Sequence, residues 1–82
     1  MITLVHHHAE RPSFYRVDVG YNLFGEYSVV REWGGNGRNG VHRIAWFSNL
    51  RDAAVAADRW NVRACAKGYE LTDRVVAGEH AP

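Results

Sequence analysis

The chain has 82 residues, with 10 Lys+Arg against 9 Asp+Glu and a formal charge of +1. That length supports one small domain and excludes an enzyme with separate cofactor and substrate domains, as well as a doubly wound nucleotide fold. Hydrophobic residues at 46% and charged residues at 23% fit a globular chain rather than a disordered one, and no apolar run approaches the roughly 18 residues of a membrane helix.

Residues 1–12 (MITLVHHHAERP) show no sustained periodicity and close on Arg11-Pro12. Because Pro12 disfavours helix before it, this segment reads as a flexible tail leading into the domain. It lacks a basic stretch followed by an apolar one of signal-peptide length, so a cytoplasmic location is expected. His6, His7 and His8 suggest a metal, but neighbours on a strand or helix point in different directions and rarely converge on one ion. They read instead as a solvated tail or tag remnant, and no metal or other cofactor is expected.

From Ser13 the pattern turns to period two. Tyr15, Val17 and Val19 fall on one face, with Arg16 and Asp18 on the other. The stretch from Gly20 to Gly25 reads as a hairpin connection. Glu26–Trp33 reads as a second strand, rich in β-branched and aromatic residues. After the glycine-rich stretch 34–40, Val41–Phe47 reads as a third. Ser48 or Asn49 then caps a helix, with Asp52 near its positive end. Along Leu50–Lys67 the residues Leu50, Ala53, Ala57, Trp60 and Ala64 form one stripe at helical spacing. Arg51, Asp52, Asp58, Arg59, Arg63 and Lys67 occupy much of the remaining surface. Gly68 follows as the left-handed C-terminal residue. Tyr69–Val76 alternates moderately and adds a last strand, and 77–82 reads as a frayed end.

The expected fold is therefore α+β: a small antiparallel sheet of three to four strands, covered on one face by a single helix, in the order β-β-β-α-β. The domain is expected to span 13–76.

Charge and cysteine content narrow the function. Nine of the ten basic residues are Arg, whose planar fork suits phosphate or carboxylate. Residues 11–67 hold nine basic and five acidic groups, so the central region is mildly basic between acidic ends. Cys65 is the only cysteine, which excludes an intramolecular disulfide and a Cys-rich zinc site. Placed between two alanines on the helix, it reads as an inert packed thiol. No pair of carboxylates stands out, and no catalytic residue is expected.

Residues 35–40 read G-N-G-R-N-G and match G-x-G-x-x-G. The dinucleotide fingerprint needs that pattern between a strand and a helix, whereas here it joins two strands. The chain is too short for the other elements of a kinase, and no Lys-Ser or Lys-Thr follows as in a phosphate-binding loop. What remains is a wide hairpin connection in which Trp33 enters, Arg38 lies in the middle, and His42 and Arg43 leave. An aromatic plate, bare backbone N–H groups and guanidinium forks suit a sugar-phosphate backbone.

Trp33-Gly34, Gly37 and Gly40 between two strands resemble the WGR domain, whose motif is usually W-G-R-x-G-x-x-G. The strand opening at Phe14-Tyr15-Arg16, the strand Tyr27–Arg31, the Ala-rich helix from Leu50 and the close at Lys67-Gly68-Tyr69 agree with it. The resemblance covers about residues 13–72. It implies one helix against an antiparallel sheet, and a domain found in poly(ADP-ribose) polymerases and as short bacterial proteins. In the polymerases the domain binds DNA near strand breaks, with the motif Trp on a terminal sugar and basic residues on phosphates. By resemblance Trp33 would be the stacking residue here. The family's Arg is replaced by Gly35, and the next position is Asn36. Either Arg38 supplies the guanidinium, or the DNA role has lapsed and the fold remains.

The expected site is thus Trp33, Gly34, Gly37, Arg38, Gly40, Arg43 and Arg31, and the expected partner is DNA, at strand ends or breaks. Arg31 shares strand parity with Trp33. No membrane and no small-molecule substrate is expected. The alternative is a protein-interaction or homo-oligomerising module, with Trp46, Tyr21 and Phe24 as candidates for an exposed apolar patch.

Overall fold

The computed structural model describes residues 2–35 and 40–76. Five strands and one helix follow in the order β1 (Ile2–His8), β2 (Ser13–Tyr21), β3 (Tyr27–Gly35), β4 (Val41–Phe47), α1 (Leu50–Ala66) and β5 (Tyr69–Val76). The sheet order is β4-β3-β2-β1-β5, with every neighbouring pair antiparallel. Helix α1 leaves one edge strand and returns the chain to the other. The last expected strand is present, and the class is a small antiparallel sheet with one helix.

Two expectations are corrected. The sheet has five strands rather than three to four, and four of them precede the helix. The added one is β1, which comes from the segment read as a flexible tail. It lies inside the sheet, opposite β2 from Ile2↔Val19 to His7↔Phe14 and opposite β5 along its other edge. The reason is an alternation that the histidines obscure. Ile2, Leu4 and His6 face the helix side with their partners Val19, Val17 and Tyr15, because directly opposed residues share a face. A register shift between Val5 and His6 lets β5 follow the same strand. The expected frayed end, 77–82, lies outside the described residues.

The helix forms where its stripe and cap indicate. Asn49 is the N-cap, its side chain accepting from the Asp52 backbone N–H at 2.8 Å. Gly68, at φ +97°, ends the helix just after the Lys67 C-cap. Ala53, Ala57 and Ala64 are buried, while Leu50 is exposed. Small alanines let the helix approach the sheet closely, so that Val17, Val19 and Val29 close against Ala53 and Ala57. Tyr15, Tyr27, Phe47 and Trp60 pack around that centre as half-buried aromatics. Burial of each valine contributes on the order of 1.5–3 kcal/mol, so this short contact line carries much of the fold.

Candidate nucleic-acid interface

Trp33 stands on β3 directly opposite Tyr15 on β2. The two rings stack, with centroids 5.8 Å apart and planes 13° from parallel. Tyr15 in turn touches Tyr69 and His6 at centroid distances of 5.8 and 5.9 Å. Tyr15 thus fixes the indole from one side, and Trp33 remains half-buried at the end of the sheet.

Arg31 precedes Trp33 by two residues and projects on the same side. Its guanidinium carbon lies 5.7 Å from the Trp33 ring centroid and 3.5 Å above the ring of Trp60 on α1. Arg63, one turn along the helix from Trp60, brings a second guanidinium to 5.0 Å from the same ring. Between helix and sheet lies a cavity of about 170 Å³, lined among others by Trp33, Arg31, Trp60, Arg63 and Lys67. A shallower depression on the other side of Trp33 is formed with Arg11, Ser13, Gly34 and Gly35. Trp33 and Tyr69 line both.

Charge is divided between the two faces of the sheet. The ion pairs among the described residues are Arg16–Asp18 and Arg16–Glu32, at 3.1 and 2.5 Å, and both lie on the face away from the helix. Glu32 adjoins Trp33 in sequence, but strand alternation turns it to that opposite face. Arg31, Arg63 and Lys67 have no carboxylate within ion-pair distance among the described residues. Arg43 stands directly across from Arg31 in the β3–β4 register, and its Nη1 donates to the His42 carbonyl at 3.0 Å.

Gly34 and Gly40 flank the mouth of the glycine-rich connection. A Cβ on Gly34 would lie 3.0 Å from the Gly40 Cα, so the two backbones approach too closely for a side chain there. Gly37 and Arg38, also expected in the site, lie outside the described residues. The structure therefore places Trp33, Arg31, Gly34, Gly40 and Arg43 around one end of the β3–β4 hairpin. Sequence reasoning missed Tyr15, Trp60, Arg63, Lys67 and Tyr69. The spacing of Trp60, Arg63 and Lys67 by three and four residues did carry a signal, since it lines up one helix face.

Three further readings change. His6 has no solvent exposure and is not part of a solvated tail. The three histidines diverge: His6 meets Asn61, His7 meets Thr72, and His8 sits edge-on to Tyr69. Among the described residues no cluster of three His, Cys, Asp or Glu is placed to hold a metal. Cys65 is exposed rather than packed, at the flank of the helix, with its Sγ 3.9 Å from Oδ1 of Asn61 one turn earlier. Trp46, Tyr21 and Phe24 are all exposed but do not form one patch. Tyr21 shares the side of Val17 and Val19, whereas Trp46, opposite Ser28, faces away from the helix.

Among the described residues no helix is long and apolar enough to cross a membrane. The family model for the WGR domain matches residues 1–75. No curated protein and no solved structure matches the chain.

Proposed function

The chain belongs to the WGR domain family, a family of non-catalytic domains known for nucleic-acid binding, and from that premise we propose that it is a non-catalytic module that contacts the sugar-phosphate backbone of DNA at strand ends through the surface around Trp33. One observation carries this reading. The indole of Trp33 is held by Tyr15 beside cations that have no carboxylate partner among the described residues, while Asp18 and Glu32 are engaged by Arg16 on the opposite face.

Each component has a physical role. A pre-stacked indole loses little freedom when a sugar or base packs against it. Arg31 and Arg43 supply forks that match phosphate oxygens, and Arg38 in the connection is proposed to add a third. Gly34 and Gly40 let β3 and the residue before β4 approach closely beside Trp33, with the Glu32 side chain against Gly40. The test is fluorescence anisotropy with blunt, nicked and single-stranded DNA at two salt concentrations. Trp33→Ala should weaken binding by about five- to 150-fold, since aromatic stacking with nucleic acid is worth on the order of 1–3 kcal/mol, and the fold should persist. Absence of binding at about 100 μM and low salt, where non-specific contacts already register, would sink the proposal.

A second reading has its own observation. Ile44 and Trp46 are 52% and 56% exposed, on the same open face of the edge strand β4. An apolar pair on a sheet edge suits a protein partner or a second copy of the chain. Light scattering at high concentration tests the self-association version, and a clean monomer removes it.

A further inference from the structure

The sheet ends on two edge strands, β4 and β5, and an edge presents a row of backbone N–H and C=O groups to whatever comes alongside. The two edges are not alike. β5 carries Glu70, Asp73 and Arg74, and its pairing with β1 shifts between Val5 and His6. Charge and irregularity of this kind blunt an edge against further strands. β4 has little of either. It pairs with β3 without a break from Trp33↔Val41 to Tyr27↔Phe47, and Arg43 is the one Lys, Arg, Asp or Glu in it. Val41, Ile44 and Trp46 are all exposed along it.

The sequence of this edge, V-H-R-I-A-W-F, fits a second copy of itself. A two-fold axis through the sheet pairs β4 antiparallel with its copy, and at the centre one residue faces its own counterpart. Centred on Ile44, all seven residues find partners. On the helix side Val41 meets Phe47 of the second copy and Arg43 meets Ala45, whose small side chain leaves room for the guanidinium. On the open side His42 meets Trp46 and Ile44 meets Ile44. No charge faces its like. Centred on Arg43 instead, two guanidiniums would oppose each other and repel. Centred on Ala45, Val41 and His42 would overhang the end of the copy.

We propose that two copies of the chain pair through β4, antiparallel and centred on Ile44, joining their five-stranded sheets into one. The inference rests on the second reading above and is independent of DNA contact. Alternate pairs exchange two hydrogen bonds, so seven pairs give about six to eight across the seam. The area covered by one strand is well below the roughly 800 Å² per partner of a standard complex. The dimer is therefore weak, with a dissociation constant of about 10 μM to 1 mM. Both helices lie on one side of the joined sheet. At about 4.8 Å per strand and 3.4 Å per residue, the two copies of Trp33 stand about 25 Å apart on that side.

Sedimentation equilibrium of the full chain from about 10 μM to 1 mM spans that range. The mass should rise towards that of a dimer. Ile44→Lys sets two ammonium groups against each other at the axis and should weaken association at least about tenfold. Ile44 is exposed, so the amide spectrum of that variant should report an intact sheet. Mild oxidation then reads the register in a Cys65→Ser background. Directly opposed residues lie within disulfide reach, at about 4.5–5.5 Å between Cα atoms. Ile44→Cys should crosslink to itself. His42→Cys and Trp46→Cys should each stay uncrosslinked alone and crosslink when mixed. A dimer that survives Ile44→Lys, or a His42→Cys chain that crosslinks to itself, overturns this seam while self-association stands. A native chain that stays monomeric to about 1 mM overturns the seam and self-association together, and leaves the edge to a strand of a different protein.

Discussion

The imidazole of His6, on the second-to-edge strand of the sheet, has its Nε2 2.6 Å from Oδ1 of Asn61 on the helix, with no solvent at either ring nitrogen. Its Nδ1 lies 3.1 Å from the Tyr15 carbonyl, which can only accept, so the ring donates there. The Asn61 carboxamide can present either end to Nε2 by rotating its terminal torsion. One side chain thereby ties β1 to both β2 and α1, and through Tyr15 it supports the plate beneath Trp33. Asn61→Ala leaves a buried ring nitrogen without its partner. The variant should lose about 1–3 kcal/mol, read as a lower urea midpoint at unchanged slope.

Ala53 is fully buried where the helix meets Val17 and Val29. A larger side chain cannot be accommodated without moving α1 off the sheet. Ala53→Leu should destabilise by about 1–3 kcal/mol despite adding apolar surface. The exposed neighbour Ala54 gives the control: Ala54→Leu should stay near native or gain slightly in thermal unfolding, because that position borders an open groove over Ile2 and Leu4 with room for the side chain.

Gly68 is doubly constrained. Its φ is +97°, and a Cβ there would lie 2.8 Å from Nε2 of His8. Gly68→Ala should cost roughly 1–2 kcal/mol from the backbone alone, with more if His8 fails to rotate away. A combined His8→Ala, Gly68→Ala variant separates the two contributions: recovery of part of the loss in a denaturant titration identifies the steric share.

At the mouth of the β3–β4 hairpin, the crowding involves backbone. Gly34→Ala would press a methyl against the Gly40 Cα at 3.0 Å and Phe14 Cε1 at 3.4 Å. The backbones must part to admit it, at a cost of about 1–3 kcal/mol. Amide exchange should quicken at Trp33 and Val41, the opposed pair beside the mouth, while exchange at Val17 and Val19 follows global stability alone. Uniform protection across β3 would contradict the close approach.

Much of this protein can be read from local pattern. Period-two runs identify β2, β3, β4 and β5, and the Asn49 cap, alanine stripe and Gly68 delimit α1, because each signal depends on neighbours within one or two turns of chain. The resemblance carried by Trp33-Gly34, Gly37 and Gly40 is local in the same sense. His6 shows where such reading stops. Three successive histidines look solvated on composition, since nothing nearby in the chain supplies their partners. Asn61 lies 55 positions away and reaches His6 only after the sheet and helix have closed.

Length and the near-neutral charge of +1 confined the reading of these 82 residues to one small globular domain. The Arg-rich composition supplied candidate phosphate contacts without saying which of them meet. Tertiary structure decided that. Alternation across the sheet turns Glu32 and Asp18 towards Arg16, on one face, and Arg31 towards Trp60, on the other. Helix packing then brings Arg63 and Lys67 beside Arg31. Side-chain charge is written residue by residue, but neutralisation is a matter of distance, and only the folded chain sets the distances.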